Sequence, residues 1–266
     1  MKLLCPICGE ILDRIEKQYR CGNGHSFDLA RQGDVNLLPV QQKRSLNPGD
    51  TREQVLGRRA FLETGCYEPI SNALNETAKE LGATGPILDV GCGEGYYSAR
   101  LAEALGAELT GLDISKEAVR CAAAKYKGPR WICGTAAHLP VESGSAGVVT
   151  SLFALTMAEE FKRVLRPEGL FFQVLAAEDH LLGLKSIIYP ELKFKEKNTV
   201  PEVPGFELVK SVPIRFTFTV EGEQVQNLLG MTPHVFRITK EGAARLAATE
   251  KLTDTASAVL NVYRVV

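Results

Sequence analysis

Four potential metal ligands stand in two short-spaced pairs near the start of the chain. The first pair has the spacing CxxC and the second CxxxH, with twelve residues between them, and the four are Cys5, Cys8, Cys21 and His25. Two thiolates two residues apart can bind one ion from a tight turn, and a second short-spaced pair completes a tetrahedron. Because the protein supplies all four ligands, the sequence predicts a closed structural zinc site rather than a catalytic one.

Turn-forming residues flank these ligands and predict how the two pairs meet. They are Pro6, Gly9, Gly22 and Gly24. Residues of this kind favour two tight turns that a hairpin brings together. The segment has too few apolar residues to stay folded by itself, so we expect its folding to depend on the metal.

The rest of the chain is long enough to form one substantial core beside this small module. The chain has 266 residues, of which 45% are hydrophobic and 24% are charged. No apolar run reaches the length of a membrane span, and the first residues lead directly into Cys5 rather than into a cleavable signal. The other cysteines show no pairing pattern, which fits a reducing compartment. They are Cys66, Cys92, Cys121 and Cys133. We expect a cytoplasmic protein with no membrane partner.

The charge of the chain gives no sign of a nucleic-acid partner, but its distribution permits one. The formal net charge is −1, whereas residues 1–60 hold ten Lys or Arg against seven Asp or Glu. Two basic pairs stand out in this region, Lys43 with Arg44 and Arg58 with Arg59. We take these four residues as candidates for contacts with RNA phosphates, while a solvated basic face stays open as the alternative.

Short apolar runs alternate with helical stretches through the centre of the chain. Strands are predicted at residues 86–90, 108–112, 130–133, 146–151 and 170–175. Helices are predicted at 51–64, 68–81, 115–126 and 157–165, the first with Asp50 as its N-cap, and a further helix is predicted to run through Leu105. This rhythm is typical of βαβ units, so we predict an α/β fold with a doubly wound sheet.

The C-terminal part is predicted to complete this sheet. Alternating residues indicate strands at 212–220 and 258–265, with a helix that starts at Glu221. Residues 180–204 interrupt the rhythm with a short helix and many charges. We expect this segment to be an insertion that covers a cofactor.

A glycine-rich loop follows the first strand of the predicted sheet. Gly91, Gly93 and Gly95 would let the backbone turn sharply and pass close to a ligand. Asp113 stands 24 positions after Asp89, at the end of the next strand, where a carboxylate can accept hydrogen bonds from ribose hydroxyls. The sequence therefore predicts a cofactor that contains a nucleoside.

The details of the loop argue against two common nucleotide sites. A dinucleotide fingerprint that starts at Gly91 needs a third glycine at position 96, where this chain has Tyr96. A GKS or GKT triplet, which a P-loop requires, is absent from the sequence.

Several motifs resemble those of a known class of enzymes. LDVGCGEGYY at 88–97 resembles the S-adenosylmethionine loop of class I methyltransferases, and GLDIS at 111–115 resembles their ribose-binding motif. The segment LRPEGL at 165–170 is similar to a late turn of the same fold. The resemblance implies a Rossmann-like class I methyltransferase sheet that binds S-adenosylmethionine.

A closer resemblance, over nearly the whole chain, is to the bacterial large-subunit ribosomal RNA (guanine-N1) methyltransferases. It rests on the zinc motif followed in order by VNLLPV, KRS, PGD, RRAFL, GEGYY, LKSIIY and MTP. The resemblance implies methyl transfer to N1 of one guanine in a hairpin loop of 23S ribosomal RNA. It also implies a zinc-binding RNA-recognition domain at 1–40, a linker and helix at 41–66, and a methyltransferase domain at 67–266.

The family also implies residues that contact the cofactor. Its cofactor contacts fall at positions that match Tyr67, Gly93, Glu94 and His180. The loop and ribose motifs extend this set to Asp89, Gly91, Gly95 and Asp113. For Tyr67 and His180 the sequence leaves simpler roles open, an aromatic at a helix junction and a polar residue at a helix start.

The chemistry of guanine adds a requirement that the sequence does not assign to one residue. N1 of neutral guanine carries a proton that must leave before its lone pair can attack, so a base or stabilisation of charge on O6 is needed. Glu178, Asp179 and His180 are candidates by location. Residues 151–156 lack the Asn/Asp-Pro-Pro-Tyr motif of enzymes that methylate exocyclic amines. N1 lies on the pairing edge of the base, so we expect a loop or flipped nucleotide, on which Phe153, Tyr189 or Phe236 could stack.

Two other classes of function stay open at this point. The first is an S-adenosylmethionine-dependent methyltransferase that acts on a small molecule or a protein. The second is a non-enzymatic zinc-ribbon binding module with a degenerate cofactor fold. The sequence also leaves open whether one chain or a homodimer forms the RNA-binding surface.

Overall fold

A computed structural model describes residues 1–42, 48–192 and 196–266. The N-terminal residues form a four-stranded antiparallel sheet in sequential order. Its strands are β1 (Leu3–Leu4), β2 (Ile11–Ile15), β3 (Gln18–Cys21) and β4 (Ser26–Asp28). Strands β2 and β3 form the hairpin that the turn residues predicted, with Leu12 opposite Cys21. The two halves of the zinc motif therefore come from the two ends of one hairpin.

A second, eight-stranded sheet forms the centre of the molecule. Its strands are β5 (Val35–Asn36), β6 (Ile87–Val90), β7 (Leu109–Asp113), β8 (Arg130–Cys133), β9 (Ala146–Leu152), β10 (Leu165–Ala176), β11 (Phe206–Glu221) and β12 (Lys251–Val265). Their order across the sheet is β11-β12-β10-β9-β6-β7-β8-β5. The strands from β10 to β5 pair in parallel, and β12 pairs antiparallel with both β10 and β11. The predicted doubly wound α/β sheet is confirmed.

Helices connect the parallel strands and cover the faces of this sheet. They are α1 (Arg52–Leu62), α2 (Glu68–Glu80), α3 (Tyr96–Leu105), α4 (Lys116–Lys125), α5 (Ala158–Val164), α6 (Leu182–Ile188), α7 (Glu223–Gly230) and α8 (Lys240–Ala247). Strands β6 and β9 are buried along their whole length because helices lie on both sides of them. Helix α6 lies in the segment that was predicted as a short-helix insertion.

The N-terminal sheet packs directly against the larger domain. Leu3 bridges to Val141, and the backbone N–H of Leu4 donates to the carbonyl of Pro140 at 2.9 Å. Strand β5 lies at the edge of the large sheet, where Val35 and Asn36 pair with β8. The last residues of the predicted zinc domain thus share hydrogen bonds with the large sheet. The domain boundaries at 40 and 66 stay a prediction.

Three local predictions need correction. Thr51, not Asp50, is the N-cap of α1, because its hydroxyl accepts from the Gln54 N–H while the Gln54 side chain accepts from the Thr51 N–H. Helix α7 begins two residues after Glu221, which still belongs to β11. Strands β11 and β12 are longer than predicted because their antiparallel pairing runs from Phe206 to Glu221.

None of the helices in the described ranges combines the length and the apolar character that a membrane span requires.

Candidate functional site

The four predicted metal ligands lie together between the two turns of the N-terminal sheet. Their ligand atoms, Sγ of the three cysteines and Nδ1 of His25, all lie within 4.8 Å of one another. The Sγ atoms of Cys8 and Cys21 are 3.7 Å apart, and His25 Nδ1 lies 3.6 Å from Cys5 Sγ and 3.4 Å from Cys21 Sγ. The sequence prediction for Cys5, Cys8, Cys21 and His25 therefore agrees with a single cluster.

These distances match the edges of a zinc tetrahedron. Zn–S bonds of about 2.3 Å and a Zn–N bond of about 2.0 Å in tetrahedral geometry place two sulfurs about 3.8 Å apart, and sulfur about 3.5 Å from nitrogen. Cys5 and Cys21 are buried while Cys8 is exposed, so the protein covers one side of the site and the Cys8 side faces solvent. Three sulfurs and one imidazole are also the ligand set that zinc prefers.

The glycine loop connects the end of β6 to the start of α3. Gly91 and Gly95 have φ values of +83° and +87°, in the left-handed region. A Cβ on Gly91 would come within 2.6 Å of the Cβ of Ala154, and one on Gly95 within 2.6 Å of the Trp131 ring. These two positions therefore require glycine both for backbone conformation and for space.

Asp113 fixes the shape of this loop from the end of the neighbouring strand β7. Its Oδ2 accepts from the Gly93 N–H at 2.9 Å, and its Oδ1 accepts from the Ser115 N–H at 2.8 Å. Burial raises the pKa of the Asp113 carboxyl group, and the two N–H donors act in the opposite direction. The carboxylate thus holds the loop while it lines the cavity described below.

Two further carboxylates lie beside the loop in buried positions. Asp89, 3% exposed, accepts from the Thr150 hydroxyl at 2.6 Å, and burial raises its pKa to about 6. Glu94, 2% exposed, accepts from the Tyr96 N–H at 3.1 Å, and burial likewise raises its pKa. Both side chains are buried polar groups with hydrogen-bond partners, so they stabilise the backbone around the loop.

Tyr67 and His180 meet at one wall of the cavity although they are far apart in sequence. The Ser257 N–H donates to Nδ1 of His180 at 3.1 Å, and Nε2 of His180 lies 3.4 Å from the Tyr67 hydroxyl oxygen. A backbone N–H can only donate, so in neutral His180 the proton sits on Nε2 and points to Tyr67. The Tyr67 hydroxyl oxygen then accepts from His180, which leaves its O–H for another acceptor.

The protonation state of His180 follows from its surroundings and can be measured. Burial, together with the charge of Lys185, lowers the pKa of His180 to about 4. We expect an NMR titration of the imidazole to have its midpoint near pH 4, with the spectrum of His180→Gln identifying the signal. A midpoint near the ordinary value of about 6.5 would contradict this account.

The lowered pKa also fixes the sign of one contribution to stability. Between pH 6.5 and 4 the unfolded chain binds a proton at position 180 more readily than the folded chain. The contribution of neutral His180 is therefore present above about pH 6.5 and is lost as the pH falls toward 4. Asp89, whose pKa is raised, titrates with the opposite sign, so a comparison of the wild type with His180→Gln is needed to isolate the effect of His180.

The glycine loop, the three carboxylates beside it and the Tyr67–His180 pair line one large cavity at the carboxyl ends of the strands. Its volume is about 1740 Å³, above the roughly 300–1,000 Å³ usual for a single small-molecule site. The predicted cofactor residues line one end, namely Tyr67, Asp89, Gly91, Gly93, Glu94, Asp113 and His180. Gly95, at the N-cap of α3, forms the end of the loop that joins the helix. The cavity has room for a cofactor and a second molecule.

The predicted RNA-binding residues lie in different environments. Arg58 lines the cavity and pairs with Asp50 at 2.5 Å, and Arg59 pairs with Glu63 at 2.9 Å. Lys43 and Arg44 lie outside the described residues. The ion pairs of Arg58 and Arg59 compete with any contact to phosphate, and their role in RNA binding stays a prediction.

The three candidates for the base also differ. Asp179 forms an ion pair with Arg215, and His180 has both ring nitrogens engaged. Glu178 is exposed at the cavity and forms no ion pair within the described part of the chain. The sequence did not single out Lys185, Lys197, His234 or Arg237, which line the other end of the cavity. Lys185 lies in the LKSIIY block, but that block carried the family resemblance and assigned no role to the lysine, and the other three residues belong to none of the motifs quoted above.

Comparison with known families matches both parts of the chain. Residues 3–46 match the zinc ribbon family described as RlmA, N-terminal, and residues 88–173 match a methyltransferase domain. Among solved structures, one from Anaeromyxobacter dehalogenans described as a "Putative Type II Methyltransferase" aligns with a TM-score of 0.53 at 19% identity. It covers 72% of this chain and 95% of its own. This likeness supports the fold.

Curated relatives extend the match over most of the chain. The 23S rRNA (guanine(748)-N(1))-methyltransferase of Streptomyces fradiae is 32% identical, over 92% of this chain and 90% of its own length. A relative from Micromonospora griseorubida named "Putative 23S rRNA (guanine-N(1)-)-methyltransferase" is also 32% identical, over 98% and 97%. Demethylmenaquinone methyltransferase of Chlorobaculum tepidum is 29% identical over 45% of this chain. With both the zinc ribbon and the methyltransferase sheet in place, the chain belongs to the 23S rRNA (guanine-N1)-methyltransferase family.

Proposed function

We propose that this chain transfers a methyl group from S-adenosylmethionine to N1 of a guanine in 23S ribosomal RNA. The observation that carries the proposal is the likeness to the Streptomyces fradiae enzyme along nearly the full length of both chains. The match to demethylmenaquinone methyltransferase covers less than half of this chain, so it speaks for the shared fold and not for a small-molecule substrate.

The cofactor end of the cavity fits S-adenosylmethionine. A Cβ on Gly93 would meet the Arg58 Nη1 at 3.6 Å as its nearest neighbour, so the backbone is open to a ligand at this point. We expect Gly93 and Glu94 to contact the cofactor, Asp113 to accept from its ribose hydroxyls, and Tyr67 to donate its O–H. When bound, S-adenosylmethionine supplies a methyl group activated by a positively charged sulfur.

The protein must also promote the removal of the proton on guanine N1. Neutral His180 offers no lone pair for this proton, because Nδ1 accepts from Ser257 and Nε2 carries hydrogen. Glu178 therefore remains the sequence candidate whose carboxylate faces the cavity. A positive field at O6 would serve the same end by stabilising the deprotonated base.

The target guanine must enter the cavity as an unpaired base. Phe153 follows β9 with a φ of +54° and is 41% exposed at the wall of the cavity, with its ring centroid 6.1 Å from that of His180. A non-glycine residue in this conformation is held against a cost of about 1–3 kcal/mol, which is typical of functional positions. We expect Phe153 to stack on a guanine presented by a hairpin loop of the rRNA, in the cytoplasm.

The zinc ribbon is expected to hold the same RNA. Its sheet packs on the methyltransferase domain near β8, so one RNA could contact both. A homodimer is the alternative arrangement, and the mass of the protein–RNA complex in solution distinguishes it from a single chain.

Incorporation of a labelled methyl group tests the proposal. The protein with zinc bound is incubated with labelled S-adenosylmethionine and unmodified 23S rRNA, and the RNA is digested to nucleosides. We expect label in 1-methylguanosine and none when 16S rRNA is used. Label in another nucleoside would contradict the proposal. Label in a small molecule or protein of an added cell extract, instead of in the RNA, would also contradict it. Binding of zinc without binding of S-adenosylmethionine would favour a non-enzymatic zinc-ribbon module.

A further inference from the structure

Three cations line the end of the cavity away from the glycine loop. Lys185 lies on α6, Lys197 precedes β11, and Arg237 follows the short 3₁₀ helix Pro233–Phe236. Among the residues that the structure describes, none of the three forms an ion pair with a carboxylate. Arg58 and Arg59, by contrast, are both paired. Lys185 and Lys197 donate to the backbone carbonyls of Glu178 and Ala177, at 3.5 and 3.3 Å, so their charges have polar contacts but no carboxylate partner in the described part of the chain.

Lys185 is acted on by Lys197, and all three cations act on His234. Burial lowers the pKa of Lys185, and the charge of Lys197 lowers it further. Burial also lowers the pKa of His234, and Lys185, Lys197 and Arg237 all add to this effect. Like charges held close together in a concave site cost free energy unless an anion joins them.

Nearby acidic groups do not provide this anion. Asp254 acts on Lys185 at a distance, but its two carboxylate oxygens accept from the N–H groups of Gly183 and Leu184. Glu178 and Glu191 line the same cavity, and both are exposed to solvent. Water screens these exposed carboxylates as it screens the exposed side chains of Lys197 and Arg237, so the two cations remain accessible to an anionic ligand.

The cavity lining beside these cations includes a second pair of polar aromatic side chains, Tyr189 and His234. The Tyr189 hydroxyl lies 2.8 Å from Nδ1 of His234, and the two rings meet edge to face at 5.5 Å. The charge of His234 also contributes to the lowered pKa of His180, so this pair lies within electrostatic reach of the Tyr67–His180 pair. The cations therefore line the same cavity as the cofactor residues, in the part next to the Tyr67–His180 pair.

We propose that Lys185, Lys197 and Arg237 bind the phosphates of the RNA strand that flank the target nucleotide. This inference rests on the proposed function and deepens it by placing the RNA strand. A flipped base leaves its own phosphates at the mouth of the pocket, where compact ammonium groups and a guanidinium can reach them. These contacts position the strand and carry no sequence information.

The dependence of RNA affinity on salt measures such contacts directly. Single-stranded RNA releases counterions when phosphates are neutralised, so log K falls against log salt with a slope of about −0.7 per contact. We would measure this slope for unmodified 23S rRNA with the full-length zinc-bound protein. The variants are Lys185→Gln, Lys197→Gln, Arg237→Gln and the triple change. Lys251→Gln is the matched control, because Lys251 forms an exposed ion pair with Glu221 and is absent from the cavity lining.

We expect each single variant to flatten the slope by about 0.7 and the triple variant by about 2, while Lys251→Gln leaves it unchanged. Lys185→Arg should restore the wild-type slope, and the affinity for S-adenosylmethionine should stay unchanged in all variants.

An unchanged slope in folded variants overturns the inference. A loss of S-adenosylmethionine affinity with an unchanged slope also overturns it, because the cations would then bind the cofactor carboxylate. Failure of the wild-type chain to bind 23S rRNA overturns the proposed function as well, whereas wild-type binding with an unchanged slope overturns this inference alone.

Discussion

A chain in which Cys21 is replaced by alanine is expected to lose its zinc and to unfold the N-terminal sheet. Cys21 is a buried ligand at the end of β3, and its Sγ lies 3.4 Å from His25 Nδ1 and 3.7 Å from Cys8 Sγ. Structural zinc sites in small modules contribute about 10–16 kcal/mol of apparent binding free energy at pH 7, which is more than the apolar core of this sheet can replace. We also expect methyl transfer to rRNA to fall by at least tenfold.

The measurement is the zinc content per chain, combined with hydrogen exchange over residues 1–36. Cys66→Ala serves as the control, since Cys66 lies outside the cluster and makes a long contact to the Thr219 carbonyl at 3.9 Å. The control should retain one zinc per chain and protected amides in β2 and β3. Full zinc content in Cys21→Ala would show that the four residues do not form the site.

Replacing Asp113 with alanine should weaken the binding of S-adenosylmethionine by at least a factor of one hundred. The change removes the acceptor for the Gly93 and Ser115 N–H groups and the carboxylate expected to meet the ribose. Hydrogen bonds to charged groups contribute about 1.5–3 kcal/mol each, so the two bonds expected from the ribose hydroxyls to this carboxylate correspond to about 3–6 kcal/mol of binding free energy. A factor of one hundred in affinity corresponds to about 2.8 kcal/mol.

Calorimetric titration with S-adenosylmethionine measures this effect. Asp179→Ala is a matched control, because it also removes an aspartate near the cavity, but one whose partner is the exposed Arg215. We expect the control to bind with wild-type affinity. An Asp113→Ala chain that keeps wild-type affinity while it melts normally would remove Asp113 from the cofactor site.

Local sequence patterns predicted the parts of the site that lie close together in the chain. The zinc ligands fall within 21 residues, and the glycine loop joins adjacent elements, so spacing alone places these groups near one another. The short strands β6, β7 and β8 were also predicted, because a strand buried on both faces reads as an apolar run.

Contacts between distant segments could not be predicted in this way. The proton position on His180 depends on Ser257, which lies 77 residues later on β12. The cation cluster likewise joins residues 185, 197 and 237 from three separate segments. The ends of β11 and β12 were missed because their burial follows no regular alternation, whereas their pairing with each other continues.

Two basic residues that are adjacent in sequence need not carry unpaired charge in the structure. Arg58 and Arg59 attract notice as a pair, but each has a carboxylate partner, Asp50 or Glu63. Both pairs are partly open to solvent, and surface ion pairs contribute about 0–1 kcal/mol, so RNA could still displace them. The same salt titration can separate the role of Arg58 and Arg59 from that of Lys185, Lys197 and Arg237.

Primer extension on methylated 23S rRNA tests the central claim most directly. A methyl group on N1 blocks the pairing edge of guanine, so reverse transcriptase stops one nucleotide before the modified base. We predict a single stop, at a guanine in a hairpin loop, that appears with S-adenosylmethionine and is absent without it. Transfer of label to the RNA without any such stop would place the methyl group on another atom and contradict the assignment of guanine N1.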